Sequence, residues 1–67
     1  MDVRQKLGEN VRKYRQIRRL SQEDLAFASG LHRTYISGIE RGVRNPTVLV
    51  LEPVARALKI ELKQLFE

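Results

Sequence analysis

The sequence contains no cysteine and a single histidine, His32. Without cysteine, neither a disulfide framework nor a thiolate metal site can form. One imidazole by itself cannot build a zinc site. We therefore expect neither a metal nor a cofactor, and this composition is compatible with a reducing compartment.

Long apolar runs are also missing. The first ten residues, MDVRQKLGEN, include no apolar core of signal-peptide length. No other stretch approaches the roughly 20 apolar residues that a membrane span requires. We therefore expect a soluble, cytoplasmic protein that does not contact membranes.

The side chains needed for catalysis do not occur together. Ser21 and Ser37 have no histidine-plus-acid partner in view. The sequence has neither a glycine-rich loop that could bind phosphate nor a pair of carboxylates that could act as general acid and base in an active-site pocket. These absences predict that the chain is not an enzyme.

Positive charge is abundant. Thirteen Lys and Arg residues against eight Asp and Glu give a formal net charge of +5 in 67 residues. In a domain this small, that balance fits a DNA-binding surface, although ribosomal and membrane-surface proteins can share it. A single domain covering residues 1–67 buries only about 60% of its unfolded surface on folding. A partner subunit would therefore help to stabilise it.

The segment from Ser21 to Gly42 has the pattern of two short helices joined by a turn. Ser21 and Asp24 resemble a capping box, which predicts a helix starting near Gln22. Leu25, Ala26 and Phe27, with Ala28 behind them, would supply a compact apolar face, and Gly30 is a typical left-handed stop. A second helix, Arg33 to Arg41, would bury Ile36, Ile39 and the stem of Glu40, and Gly42 would end it. This arrangement is typical of a helix-turn-helix unit.

Burial of the two isoleucines would turn the opposite face of the second helix towards solvent. That face carries Arg33, Thr34, Ser37 and Gly38. Arginine can bind guanine through two hydrogen bonds, threonine offers a methyl group to thymine, and small residues allow close approach. The alternative is an amphipathic helix whose polar face is only hydrated.

Several short motifs together resemble the phage Cro/repressor-like, or XRE-type, helix-turn-helix family. These are residues 22–26 (QEDLA), 30–31, 35–37, 39–42 (IERG) and 44–46. Residues 33–42 (RTYISGIERG) look most similar to controller proteins of restriction–modification operons. The resemblance covers about residues 7–66 and implies a compact, lambda-repressor-like, all-α domain of five helices.

The resemblance also implies roles for individual residues. Base contacts are expected from Arg33, Thr34, Ser37 and Arg44, and phosphate contacts from Gln22, Tyr35, Arg41 and Asn45. Relatives commonly have a longer polar side chain where Gly38 lies, so base reading is not expected there. Tyr35 could instead serve packing alone, and His32 could be a weak cap, a phosphate donor or neither. A salt bridge between Arg15 and Glu40 is expected to orient the reading helix.

The remaining helices are predicted from apolar spacing and caps. The first should run from Val3 to Arg18, with Gly8 at a close helix crossing. Thr47 should cap a fourth helix, in which Pro53 predicts a kink or a late start around Leu49 to Glu52. A short fifth helix should begin near Glu61. Lys59 lies where relatives often have glycine, so the stop before this helix should be either strained or built differently.

Two regions suggest a dimer interface: the fourth helix, where Leu49 and Val50 are apolar at positions that are commonly polar in relatives, and the C-terminal end, where relatives of this size commonly dimerise. Its predicted members are Leu49, Val50, Leu65 and Phe66, although the last two could instead close the monomer core. Together these features predict a transcriptional regulator, such as a repressor, that binds double-stranded DNA as a homodimer on a two-fold operator. The alternative is an antitoxin that binds a toxin and regulates its own operon. The operator, the direction of regulation and the circuit do not follow from the sequence.

Overall fold

The computed structural model describes residues 2–67, which form helices and no strand. The elements in chain order are α1 (Val3–Ile17), α2 (Gln22–Ser29), α3 (Arg33–Glu40), α4 (Val48–Leu58) and a 3₁₀ helix (Leu62–Phe66). The predicted all-α fold is confirmed, but the fifth element is a 3₁₀ helix instead of an α-helix. Within this range, no helix is long and apolar enough to cross a membrane.

Three of the four α-helices begin at a side-chain cap. Asp2 accepts from the backbone N–H of Arg4 at 2.7 Å, and Thr47 accepts from that of Val50 at 3.3 Å. Ser21 and Asp24 form the predicted capping box, each accepting from the backbone N–H of the other. Because such bonds satisfy donors that a helix start leaves free, they locate the helix boundaries.

One apolar core holds the helices together. α1 packs on α3 and on the 3₁₀ helix, while α2 packs on α3 and α4. The buried hydrophobic side chains are Leu7, Val11, Leu25, Ala26, Ile36, Ile39, Leu51, Val54, Ala55, Leu58 and Leu65. Residues from every element meet in this core, so the position of α3 depends on the whole domain.

The apolar face predicted for α2 includes one residue that lies outside the core. Phe27 is 90% exposed, whereas Leu25 and Ala26 are buried. Residues two apart on a helix do not share a face, so burial of Leu25 turns Phe27 towards solvent. The prediction that Phe27 contributes to this core-facing surface was therefore wrong.

Pro53 does not delay α4. The helix is continuous from Val48 to Leu58 and begins at the Thr47 cap, so the predicted late start was wrong. A proline removes the hydrogen bond to the carbonyl four residues earlier, which belongs to Leu49. Leu49 is 83% exposed, and water can therefore satisfy that carbonyl oxygen.

The end of α4 has the unusual geometry expected at Lys59. Lys59 is left-handed, with φ 60° and ψ 41°. Arg18 donates from Nε to the carbonyl of Leu58 at 2.8 Å and from Nη2 to that of Lys59 at 3.3 Å. A cation on the last carbonyls of a helix stabilises its negative end, so Arg18 offsets part of this strain.

Replacing Lys59 with glycine should stabilise the domain by about 1 kcal/mol, because the left-handed conformation is costly for a side chain with a Cβ. Urea unfolding would measure the gain. Arg41 is a matched control, since it also follows a helix but has φ −84°. Arg41→Gly should destabilise the domain. An unchanged or lower stability of Lys59→Gly would contradict this interpretation.

Candidate nucleic-acid interface

The turn between α2 and α3 is closed by backbone contacts. Gly30 has φ 72°, a conformation that glycine adopts at little cost. The backbone N–H of Leu31 donates to the carbonyl of Ala26 at 2.9 Å, and the Leu31 side chain packs against the core. α3 then starts at Arg33, after His32, which forms no side-chain cap hydrogen bond. The turn therefore holds α3 at a defined angle to α2.

The outward face of α3 is open. Arg33 and Thr34 are exposed and Ser37 is half-buried, while Ile36 and Ile39 are fully buried. Among residues 2–67, no acidic group forms a salt bridge with Arg33. Its guanidinium is therefore available to a ligand.

Gly38 departs from the predicted exposed face because Arg44 covers it. A Cβ built on Gly38 would lie 2.6 Å from the Arg44 side chain at Cγ. The Arg44 guanidinium also lies 5.1 Å from the centre of the Tyr35 ring, and the Arg44 backbone N–H donates to the Gly38 carbonyl at 3.3 Å. The loop arginine thus lies on the surface of α3, where a glycine leaves room for it.

The remaining predicted phosphate ligands surround this face. Arg41 and Asn45 are exposed, and Arg41 Nε donates weakly to the Ser37 carbonyl at 3.4 Å. Gln22 is half-buried, and its side-chain amide donates to Glu40 Oε1 at 3.1 Å. An amide group has two donor hydrogens, so Gln22 can still donate one outward.

Glu40 lies at the centre of a polar cluster that joins three helices. Its side chain has no exposed surface. Arg15 of α1 donates to it twice, from Nε at 2.6 Å and from Nη2 at 3.1 Å. The same Arg15 donates from Nη1 to the carbonyl of Leu20, at 2.9 Å. The ion pair expected between Arg15 and Glu40 is therefore present, and it fixes the C-terminal end of α3.

The ionisation of Glu40 reflects two opposing effects. Burial alone raises the pKa of this carboxyl group. Together, the hydrogen bonds from Arg15, Gln22 and Arg12 and the positive charge of Arg15 favour the charged form more strongly, so the pKa of Glu40 lies below its ordinary value. The cluster is therefore charged at neutral pH, and folding is coupled to that charge.

Comparison with known proteins identifies the family. A protein-family model described as helix-turn-helix matches residues 11–65. The chain belongs to the helix-turn-helix family. The match includes α2, the turn, α3 and α4, together with residues 11–17 of α1 and residues 62–65 of the 3₁₀ helix.

Named relatives within the helix-turn-helix family are regulators and control proteins. The chain is 52% identical to control protein C.SmaI of Serratia marcescens, over 97% of this chain and 77% of that protein. It is 43% identical to control protein C.BamHI of Bacillus amyloliquefaciens, over 98% and 83% respectively. The crystal structure of the restriction-modification controller protein C.AhdI from Aeromonas hydrophila matches with TM-score 0.91 and 46% identity, over 94% of this chain and 96% of that one. All three are named as control or controller proteins, in agreement with the prediction of a regulator instead of an enzyme.

The apolar residues predicted for a dimer interface fall into two groups in this helix-turn-helix domain. Leu49 and Phe66 are exposed and Val50 is half-buried. Leu65 is completely buried, and Asn10 donates to its carbonyl at 2.9 Å. Its position in the monomer core contradicts the prediction that the Leu65 side chain lies in an interface.

Sequence reasoning missed two parts of the site. The ion pair of Arg12 with Glu40 and the hydrogen bond from Gln22 to Glu40 were not predicted. The buried hydrogen bond from Asn10 to the carbonyl of Leu65 was not predicted either. A polar residue at a core position of the α1 pattern was a usable signal for Asn10. Arg12 gave no such signal, because it is one of many basic residues on α1.

Proposed function

We propose that this chain is a sequence-specific transcriptional regulator that binds double-stranded DNA as a homodimer, with α3 of each subunit in the major groove of a two-fold operator. The observation that carries this proposal is the open outward face of α3, with Arg33 free of salt bridges within residues 2–67. The net charge of +5 supports the same partner.

The roles divide between base reading and positioning. Arg33, Thr34 and Ser37 face outward from α3 and are proposed to contact base edges, together with Arg44 beside them. Phosphates are assigned to Gln22, Tyr35, Arg41 and Asn45. Phosphate contacts set the register of the protein on the duplex, whereas base contacts select the sequence.

A dimer would present two copies of α3 to one face of the duplex. Half-sites would then lie about 34 Å apart, one helical turn of DNA. The proposed interface consists of Leu49 and Val50 of α4 and of Phe66 near the C-terminal end. Their burial would also enlarge the small core of a 67-residue chain.

The relatives favour one biological role. Those named above are control proteins, and one is described as a restriction-modification controller. We assign this chain the same kind of role, control of a restriction–modification operon at nucleoid DNA. The antitoxin alternative has no support among these relatives.

The direct test is footprinting on the DNA upstream of the chain's own gene. Two protected half-sites related by two-fold symmetry are expected. Binding should weaken steeply with salt, because neutralised phosphates release counterions. No protection, or an affinity independent of salt, would contradict the proposal.

Replacing Arg33 with alanine should weaken operator binding by about 1–3 kcal/mol and relax discrimination at one base pair of each half-site. The physical reason is the loss of a two-bond contact to a base edge. Binding to operators mutated one base pair at a time would measure it. Arg56→Ala, which removes an exposed charge on α4, is the matched control. Equal weakening on every sequence would instead assign Arg33 to the DNA backbone.

A further inference from the structure

We infer that Arg12 of α1 is an additional phosphate-binding residue, which Glu40 of α3 holds in place for the DNA backbone. This inference rests on the proposed DNA-binding function and adds a contact outside the helix-turn-helix unit. The evidence is the cluster around Glu40, in which two arginines, Arg12 and Arg15, share one carboxylate.

The two arginines at Glu40 have different environments. The side chain of Arg15 is only 14% exposed and uses all three of its donor nitrogens inside the domain. Arg12 turns its Nε towards Glu40 Oε1 at 3.5 Å, and its side chain is 54% exposed. Since Arg15 already neutralises the single charge of Glu40, the excess positive charge of the cluster lies on Arg12.

Arg12 also borders a cavity open to solvent. The cavity is lined by Glu9, Arg12, Lys13, Gln16 and Glu40. Lys13 and Gln16 are exposed and can donate hydrogen bonds, whereas Glu40 is saturated by its internal partners. Glu9 is the one exposed acidic side chain of the cavity and reduces its positive charge, so we expect one phosphate contact and no high-affinity site for a free anion.

The position of Arg12 connects it with the proposed DNA-facing surface. The Gln22 amide and the Arg12 guanidinium approach the same atom, Glu40 Oε1, at 3.1 and 3.5 Å. Gln22 is the first residue of α2, where free backbone N–H groups and the helix dipole favour an anion. A DNA strand that passes the start of α2 would therefore pass Arg12 too.

The carboxylate of Glu40 explains why Arg12 is suited to this task. An arginine on a solvent-exposed helix loses considerable side-chain entropy when it binds a ligand. The ion pair from Nε to Glu40 restrains Arg12 before binding, and the terminal N–H groups of Arg12 form no salt bridge among residues 2–67. Two such groups match the fork geometry that phosphate oxygens accept.

The experiment measures operator affinity of the full chain against salt concentration for wild type, Arg12→Ala and Arg12→Lys. Arg12→Ala should weaken binding about three- to tenfold, to the same extent on operator and on unrelated duplex. It should also lower the slope of log affinity against log salt by about 0.9, the value for one phosphate. Arg12→Lys should restore most of the slope, because the charge remains. Arg56→Ala should change neither quantity.

A second measurement locates the contact. Single phosphates of the operator can be replaced one at a time by neutral methylphosphonates. At one position, this replacement should weaken the binding of wild type but leave the binding of Arg12→Ala unchanged. Circular-dichroism melting would identify any loss of folding in the variants. An unchanged salt slope in folded Arg12→Ala, or an identical set of sensitive phosphates, would overturn the assignment of Arg12 while leaving the proposed function intact. Absence of salt-dependent DNA binding by wild type would overturn both.

Discussion

Glu40→Gln should lower the free energy of unfolding by about 3–5 kcal/mol, which is the effect of leaving a buried charge without its partner. Glutamine has nearly the same shape as glutamate, so no cavity forms. Arg15 and Arg12 would then face each other without the carboxylate that separates them. Since a domain of this size has a total stability of about 3–10 kcal/mol, much of the folded population should be lost. Urea unfolding followed by circular dichroism would measure the change.

The chain contains a matched control for this substitution. Glu52 pairs with Arg56 at 2.7 Å, but both side chains lie on the surface. The chemical change in Glu52→Gln is identical, and exposed pairs contribute about 0.2–1 kcal/mol. A similar loss of stability in the two variants would show that burial of Glu40 has no special importance.

The stability difference between wild type and Glu40→Gln should also depend on pH. The pKa of Glu40 is lowered in the folded state from its ordinary value of 4.5. The stabilisation is therefore fully present above pH 4.5 and is lost as the pH falls through the lowered pKa. The two proteins should converge in stability in acid. A difference that stays constant from neutral pH into acid would contradict this coupling.

Gly8→Ala should destabilise the domain by about 2–3 kcal/mol, even though alanine favours a helix by about 1 kcal/mol. A Cβ at Gly8 would lie 2.7 Å from the carbonyl oxygen of Glu40 and closer still to that of Ile39. Both atoms belong to the backbone of α3, so relief requires α1 and α3 to separate. That movement would also disturb Glu40 and the α3 surface proposed to read DNA.

Urea unfolding would test the glycine prediction. Glu9→Ala is the control, because the neighbouring residue lies in the same helix and is exposed. It should change stability by no more than about 0.5 kcal/mol. If Gly8→Ala proved as stable as wild type or more stable, the close crossing of α1 and α3 would not be essential to the fold.

Local features were predictable from the sequence because their partners are close in the chain. The Ser21 capping box, the Gly30 stop and the Thr47 cap form through contacts within a few residues, and they define α2 and the start of α4. The composition likewise established the net charge, and apolar spacing identified which residues of α3 are buried.

Long-range features depended on how the helices pack. Arg15 and Glu40 are 25 residues apart and Asn10 and Leu65 are 55 apart, and family resemblance suggested only the first of these pairs. Burial of Leu65, exposure of Phe27 and the cover that Arg44 forms over Gly38 follow from the arrangement of all the helices.

The sequence by itself determined where α2 begins and ends, because the Ser21 capping box and the left-handed turn at Gly30 form through contacts within a few residues. Only the tertiary structure decided which polar groups meet at Glu40. Such meetings depend on the angle and separation of α1, α2 and α3, which are set by the shared core and not by any single segment.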